Sequence, residues 1–372
     1  MPQPFSRPVK TTGVFAASLL IVTIAGSLLF ALACNGDLRA CYAILQESDS
    51  VARARKGALT QFAASPSAVV FPVVMSDKTT GLLFAERQSG IAKLIVEPNH
   101  GYWSPYLSQD GERLVFIRQR VGQQNREIVT CKIGEWRCRV LLRTEDNLRS
   151  PIEIERDSII YASSPLLVGG DGKARYASYD FHHVRTGGVP TRLTDFRFYA
   201  LHSVQVVQER IIFSAVSSRT VNAAIPRFNP SEPNRSEIYA VGFDREPKIP
   251  KPEKILDPLF VIGGYSINAA ISANADLAVV QNSESGKGRY EFDLVVVSLN
   301  GTIQRRIRSQ GLGFSPGAFV EGSILLNELF EDRYSVKRIK SPQGPIDEVL
   351  SVRNSAAELA RFEKIRLIID GQ

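Results

Sequence analysis

The sequence predicts an all-β protein: a six-bladed β-propeller, with seven blades as the alternative, behind an N-terminal transmembrane or signal helix. Three observations predict it. A strand-turn-strand phrase recurs along the chain. Each copy is followed by a second pair of strand-like runs. The copies are separated by about the length of one four-stranded sheet. The phrase runs from Ser104 to Phe116, Ser150 to Tyr161, His202 to Phe213, Asn268 to Val279 and Ser315 to Leu326. Its last residues step by 45, 52, 66 and 47 positions, a fixed unit with insertions. The second pairs begin at Glu127, Ala177, Glu237, Phe292 and Ser335. Four strands in such a unit make a propeller blade. Stacked helices would instead place apolar residues three and four apart, which these units do not.

In chain order, residues 1–12 are a short basic leader containing Arg7 and Lys10. Gly13 to Cys34 follow, 22 residues without a charge, long enough to cross a bilayer as a helix. The basic flank keeps the N-terminus cytoplasmic and sends the remainder across. An uncleaved single-pass anchor in the cytoplasmic membrane is expected, with a periplasmic or extracytoplasmic C-terminal domain. The alternative is secretion after cleavage at Ala33, in the small-x-small setting Ala31-Leu32-Ala33. Lipidation at Cys34 is a third option, poorly matched because Ala31 stands where Leu is required. Residues 35–68 are polar and mixed and read as a stalk. The propeller is assigned to 69–370: five clear units, and a sixth from Gly81–Ala85, Ala92–Val96 and the C-terminal run Ile365–Ile369. Ser355-Ala356-Ala357-Glu358 reads as a capping box opening a short helix before that last run.

Four cysteines fall into two pairs of equal spacing, Cys34/Cys41 and Cys131/Cys138. In the second pair, a two-residue type II′ turn at Gly134-Glu135 sets Ile133 against Trp136 and Cys131 against Cys138. Opposed strand residues lie close enough for a disulfide. That bond suits an oxidising compartment. No CxxC spacing supports a zinc site.

The composition excludes several classes. Hydrophobic residues make up 44%, too many for a disordered chain. The net charge of +7 comes from 45 basic against 38 acidic residues, with no dense basic stripe, so nucleic acid is not an expected partner. Gly313-Phe314-Ser315-Pro316-Gly317 spells a nucleophile elbow, but the elbow needs a strand-to-helix turn and the phrase continues as a strand. Gly169-Gly170-Asp171-Gly172-Lys173 lacks phosphate-loop spacing and reads as a hairpin tip. His182 and His183 are neighbours on a strand and face opposite sides, so no metal site is assigned to them; His100 and His202 read as ordinary blade residues. Arg305, Arg306 and Arg308 read as a solvated outer strand. The insertion from Ile225 to Pro258 holds seven of the 20 prolines and is a candidate partner-binding loop. Tyr102, Trp103 and Tyr106, beside the first phrase, are candidate binding aromatics. No catalytic, metal or cofactor residue is assigned.

Ser108-Gln109-Asp110-Gly111-Glu112-Arg113-Leu114-Val115-Phe116 resembles the blade motif of TolB and its relatives, Ser-Pro-Asp-Gly followed by a Leu-Ala-Phe strand; Gln109 stands in the place of Pro. The resemblance covers roughly Phe71 to Leu350 and implies the propeller fold. TolB also carries an N-terminal α/β domain, for which residues 35–68 are too short. Related propellers serve as protein-binding platforms or as gating domains of serine peptidases. The expected function is a membrane-tethered, non-catalytic scaffold binding a protein or peptide in the cell envelope. The alternative is a propeller enzyme of lyase, lactonase or glycosidase type with its site at the channel mouth. An alkaline phosphatase fused at the C-terminus is expected to be active and a fused cytosolic fluorescent reporter dark; the opposite pattern rejects the topology.

Overall fold

Strands form because β-branched and aromatic residues come in short runs between turn residues. The structure, a computed structural model, describes residues 61–370 other than 78, 169–173, 199, 208–209, 217–235, 243–252, 257–264, 273–276, 287–288 and 312. The expected membrane segment at 13–34, the pair Cys34/Cys41 and most of the proline-rich insertion lie outside these residues. Among the described residues no helix is long and apolar enough to cross a membrane.

Six sheets and a ribbon follow one another. The first holds β1 (Ala63–Ala64), β2 (Ala68–Val74), β3 (Thr80–Glu86) and β4 (Ala92–Ile95). The second holds β5 (His100–Leu107), β6 (Arg113–Arg120), β7 (Arg126–Lys132) and β8 (Arg137–Thr144). The third holds β9 (Asn147–Glu155) and β10 (Ser158–Ser164), then β13 (Asp180–Arg185) and β14 (Thr191–Arg192). Between them a ribbon of β11 (Leu166–Val168) and β12 (Ala174–Tyr176) stands off the sheet. The fourth is β15 (Ala200–Val207), β16 (Arg210–Val216), β17 (Ser236–Gly242) and β18 (Glu253–Leu256). The fifth is β19 (Tyr265–Ile271), β20 (Leu277–Gly286), β21 (Arg289–Ser298) and β22 (Ile303–Arg308). The sixth is β23 (Gly313–Val320), β24 (Ser323–Leu329), β25 (Arg333–Ile339) and β26 (Ile346–Arg353). Ala63, Ala64 and Ala68, at the expected end of the stalk, thus belong to the first sheet.

The sheets stack face to face around a ring. Their second strands are therefore buried on both sides: all seven residues of β10 are buried, and so are Ala68 to Val73 of β2. One apolar cluster fills each interface. Phe116 and Val129 of the second sheet meet Val70 and Leu82 of the first. Leu325, Tyr334 and Val336 of the sixth meet Val69, Phe71 and Leu83 of the first, which closes the ring. Phe71 and Tyr334 touch there, ring centroids 5.4 Å apart.

Five sheets have a full inner strand of seven to nine residues. In the first sheet that strand is β1, two residues long. The number of complete blades is therefore five, correcting the expected six. The first sheet is extended at its rim instead, and not as anticipated. Ser355 caps α1 (Ala356–Leu359), its Oγ accepting from the Glu358 amide at 3.2 Å. The chain then splits into β27 (Glu363–Ile365), parallel to β4, and β28 (Ile368–Ile369), parallel to β8. Leu367 breaks the run because it turns inward between the first two sheets, where it is 6% exposed. The C-terminal run thus straps two sheets together and does not add one strand to a single blade.

The disulfide Cys131–Cys138 is present, with the two residues directly opposed. The turn beneath it spans four residues, Ile133 to Trp136, in place of the expected two. Trp136 takes φ +52° and its amide donates to the Lys132 carbonyl at 2.8 Å. The longer turn lets the indole pack edge-on against Phe84, 5.2 Å between centroids. The Trp136 and Cys138 carbonyls then accept from the amides of Ile368 and Asp370 at 2.9 and 2.8 Å, so the bridged hairpin is where the strap docks. The Asp-Gly turn is self-bonded: Asp110 Oδ1 accepts from the Glu112 amide at 3.0 Å. Gly111, at φ +72°, has no room for a side chain, since a Cβ would lie 2.2 Å from Ser67 Oγ.

Truncating Leu367 to Ala should cost about 2–4 kcal/mol, the usual range for a buried leucine. Ile368→Ala, at a side chain 54% exposed, should cost little. Urea midpoints of the two variants check this; equal midpoints would mean that the strap carries no packing energy.

Candidate functional site

A cavity of about 410 Å³ occupies the centre of the ring. Its wall comes from β1, β5, β9, β15 and β23 and includes Phe62, Trp103, Tyr106, Arg149, Val204 and Gly317. Backbone irregularity shapes this wall. Each of the five full inner strands carries a register shift. Trp103 pairs with Ile117 and Tyr106 with Val115, so Ser104 and Pro105 together face one residue, Phe116. Likewise Ser150 and Pro151 face Tyr161, and His202 and Ser203 face Ser214. On β23 the extra residue is Gly317. These are β-bulges, and in β5 and β9 they explain why the phrase opens with Ser-Pro. A bulge frees one residue from the ladder, which is where a proline without an N–H is tolerated. Ser104 and Ser150, both in the cavity wall, take φ +50° and +47°. The Ser104 amide is met by Gln61 Oε1 at 2.7 Å. Gly317 lies against Phe62, whose ring atom would sit 2.2 Å from an added Cβ.

The three candidate aromatics separate. Tyr102 is fully buried in the cluster between the first two sheets, and its hydroxyl donates to Glu97 Oε2 at 2.7 Å. Burial first, then Glu97, raises its phenol far above the ordinary value. Trp103 and Tyr106 are half-buried and line the cavity. The Tyr106 hydroxyl donates to the Glu153 carbonyl at 3.2 Å, and burial pushes its pKa up to about 12. Arg149 Nη1 donates to the Leu201 carbonyl at 3.2 Å, with the guanidinium 5.1 Å from the Tyr179 ring centroid. Asp, Glu, His, Lys and Cys do not occur among the described residues of the wall. It offers aromatic faces, backbone groups, hydroxyls, amides and one arginine, a surface suited to hydrogen bonding and stacking.

Gln61, Phe62, Asn147 and Arg149 were not anticipated as wall residues. Aligning the phrase copies finds two of them: Asn147 and Arg149 precede Ser150-Pro151 as His100 to Trp103 precede Ser104-Pro105. Gln61 and Phe62 precede a strand too short to carry any signal.

The other sequence candidates have local partners. Ser315 lies inside β23 opposite Asn327, not on a strand-to-helix elbow. Gly169–Lys173 falls outside the described residues, between two strands that pair. Arg306 and Arg308 each reach Asp293 at 3.2 Å, and Asp293 is buried, so this basic run satisfies an acid of its own blade. His182 stacks on Tyr161 at 5.6 Å, while His183 Nε2 and Ser158 Oγ share a hydrogen bond of 2.7 Å. No group of three metal-ligating side chains is found among the described residues.

No protein-family model matches this chain, and no curated protein matches it. Solved structures resemble it in fold. TolB from Acinetobacter baumannii superposes with a TM-score of 0.52 at 11% identity, over 78% of this chain and 64% of that one. An acylaminoacyl peptidase from Pyrococcus horikoshii gives 0.45 at 12%, over 81% and 53%. The β-propeller domain of the Trilobed protease from Pyrococcus furiosus, described as having an open velcro topology, gives 0.42 at 12%, over 78% and 82%. The matched region is thus less than two thirds of the TolB chain and about half of the acylaminoacyl peptidase. At these identities the likeness is one of fold, an all-β propeller with TolB among its structural neighbours.

Burial lowers the pKa of His182, with Asp180 opposing, and burial also lowers that of His183, helped by Arg185. The unfolded chain then binds protons first. Stability is complete above the ordinary imidazole value near 6.5 and falls as the pH drops below it. Urea unfolding between about pH 7 and 5 should show this loss, and His182→Gln should flatten it; an unchanged profile in the variant rejects the assignment.

Proposed function

We infer that this protein is a propeller scaffold that binds a protein or peptide segment in its central cavity, held outside the cytoplasmic membrane by its N-terminal segment. The observation that carries the binding reading is the wall itself: bulged inner strands set Ser104, Ser150 and Ser203 into it, with Asn147 and Gln205, beside Trp103 and Tyr106. Hydroxyl and amide groups can hydrogen-bond a peptide backbone without demanding a sequence, and aromatic faces add contact area at low entropic cost. The resemblance of the blade phrase to TolB propellers supports the same reading. The location rests on the uncharged run at 13–34 with its basic flank, and the Cys131–Cys138 bridge agrees with an oxidising compartment.

The test is a photocrosslinking residue placed at Tyr106 or Ser203 in the full chain, in cells, with Val189, 86% exposed, as the control position. A discrete adduct of higher mass at the two cavity positions and none at Val189 is expected. Absence of adducts, together with turnover of a small substrate that Trp103→Ala abolishes, would replace the scaffold with an enzyme.

A further inference from the structure

Two further cavities share wall residues in series with the central one. A cleft of about 340 Å³ lies between the first two sheets, lined by Asp77, Thr80, Gly101, Trp103, Arg120 and Gly122. Trp103 belongs to both its wall and the wall of the central cavity. A further cavity of about 490 Å³ on the second sheet is lined by His100, Arg118, Arg120, Asn125, Glu127 and Arg143, and Arg120 is shared with the cleft. The three form a track running from an indole at the ring centre to a group of guanidinium groups farther out.

The charges along this track are unequal in availability. Arg118 is 1% exposed and spent: its Nε and Nη2 donate to Glu127 Oε2 at 2.9 and 2.6 Å, and its Nη1 to Glu97 Oε2 at 3.1 Å. Glu127 is spent too, since its other oxygen takes Arg143 at 2.6 Å. Burial opposes ionisation of Glu127, but the two arginines hold its carboxyl below the usual range. In the cleft, Asp77 Oδ1 accepts from the amide and hydroxyl of Thr79, at 3.0 and 2.6 Å. Both lining carboxylates therefore already have donors. Arg120 is exposed and has no ion-pair partner among the described residues. Arg143 is 58% exposed and keeps donors beyond its contact with Glu127. His100 stands 3.9 Å from Glu97. The unsatisfied capacity of the outer track is donor capacity, centred on Arg120.

We propose that the partner is an extended acidic peptide that lies along this track, an apolar side chain against Trp103 and carboxylates over Arg120 and Arg143. The proposal rests on the peptide-binding reading above and adds to it a direction and a charge. An extended strand presents side chains at regular intervals along one line, which suits a track that changes from aromatic to basic along its course. Exposed arginines at its outer end select by charge and speed association more than they add affinity, so the preference should weaken with salt.

The probes are a fluorescein-labelled alternating Glu/Ser peptide with one central Trp and its Lys/Ser counterpart, read by anisotropy on the full chain. Wild type should bind the acidic peptide about tenfold or more tightly than the basic one. Arg120→Glu and Arg143→Gln should each weaken the acidic peptide about three- to tenfold and together abolish the preference; the thermal midpoint should hold in Arg120→Glu and fall slightly in Arg143→Gln, which loses the pair with Glu127. Trp103→Ala should weaken both peptides. Equal binding of the two peptides, or a preference that survives both arginine substitutions, overturns the track. If crosslinking at Tyr106 and Ser203 persists in that case, the central-cavity reading stands without it; loss of that crosslinking is the failure of the reading itself.

Discussion

A β-sheet leaves two edges and two faces to satisfy, and in this chain the decisive surface is the face that the sixth sheet presents to the first. Tyr334, Val336 and Leu325 meet Phe71, Val69 and Leu83 there, all essentially without solvent exposure. Residues more than two hundred positions apart must find each other before any of that apolar area leaves water. Loop-closure entropy makes the contact slow to form, and its burial makes it stable once formed. Stacking alone would leave the ring open to slippage at this seam. The strap resists that. Leu359 and Phe362 pack on the seam, and the strands beyond them tie the rims of the first and second sheets.

The same closure creates the candidate site. Inner strands converge on an axis, where side chains and pleat have the least room. A bulge relieves that crowding by inserting a residue and turning the strand. Its consequence reaches the candidate site: four of the five bulged inner strands place an extra residue in the cavity wall. Serine before proline suits the position. The serine adopts a left-handed backbone at Ser104 and Ser150, and the proline has no amide to leave unpaired. The recurring phrase is thus a packing device whose by-product is a lined cavity.

That connection explains how much could be read from the chain alone. The phrase was legible because it repeats, and repetition marked out five units; the opposition of Cys131 and Cys138 came instead from the turn signal at Gly134-Glu135. The four-residue turn beneath the disulfide was hidden because Gly134 suits either turn; the tertiary contact of Trp136 with Phe84 decided it. The incomplete first blade was hidden because Ala63-Ala64 carries no strand signal, and its pairing with β2 is set by the blades on either side. Tyr102 and Trp103 are neighbours in sequence and alternate across one strand, so one enters the core and the other the cavity; without the register, both looked alike. The series of cavities had no local signature, because Asp77, Trp103, Arg120 and Arg143 come from different strands and turns.

The strap bears on the first two sheets as well as on closure. It bridges β4 and β8, the outer strands of the two sheets between which the cleft runs. Ile365 and Leu367 are buried in the cluster that joins those sheets, and Tyr102, one residue from Trp103, belongs to the same cluster. The Tyr102 amide donates to Thr80 Oγ1 at 2.9 Å, fixing the inner strand of one sheet to the third strand of its neighbour. The strap and this bond therefore join the first two sheets at separate places: β28 pairs at Arg137 and Cys138, the end of the second sheet away from Arg120, whereas Thr80 lies in the wall of the cleft itself. The first blade is thus short at its inner edge, where the two residues of β1 border the central cavity, and reinforced at its outer one, where β4 takes the strap.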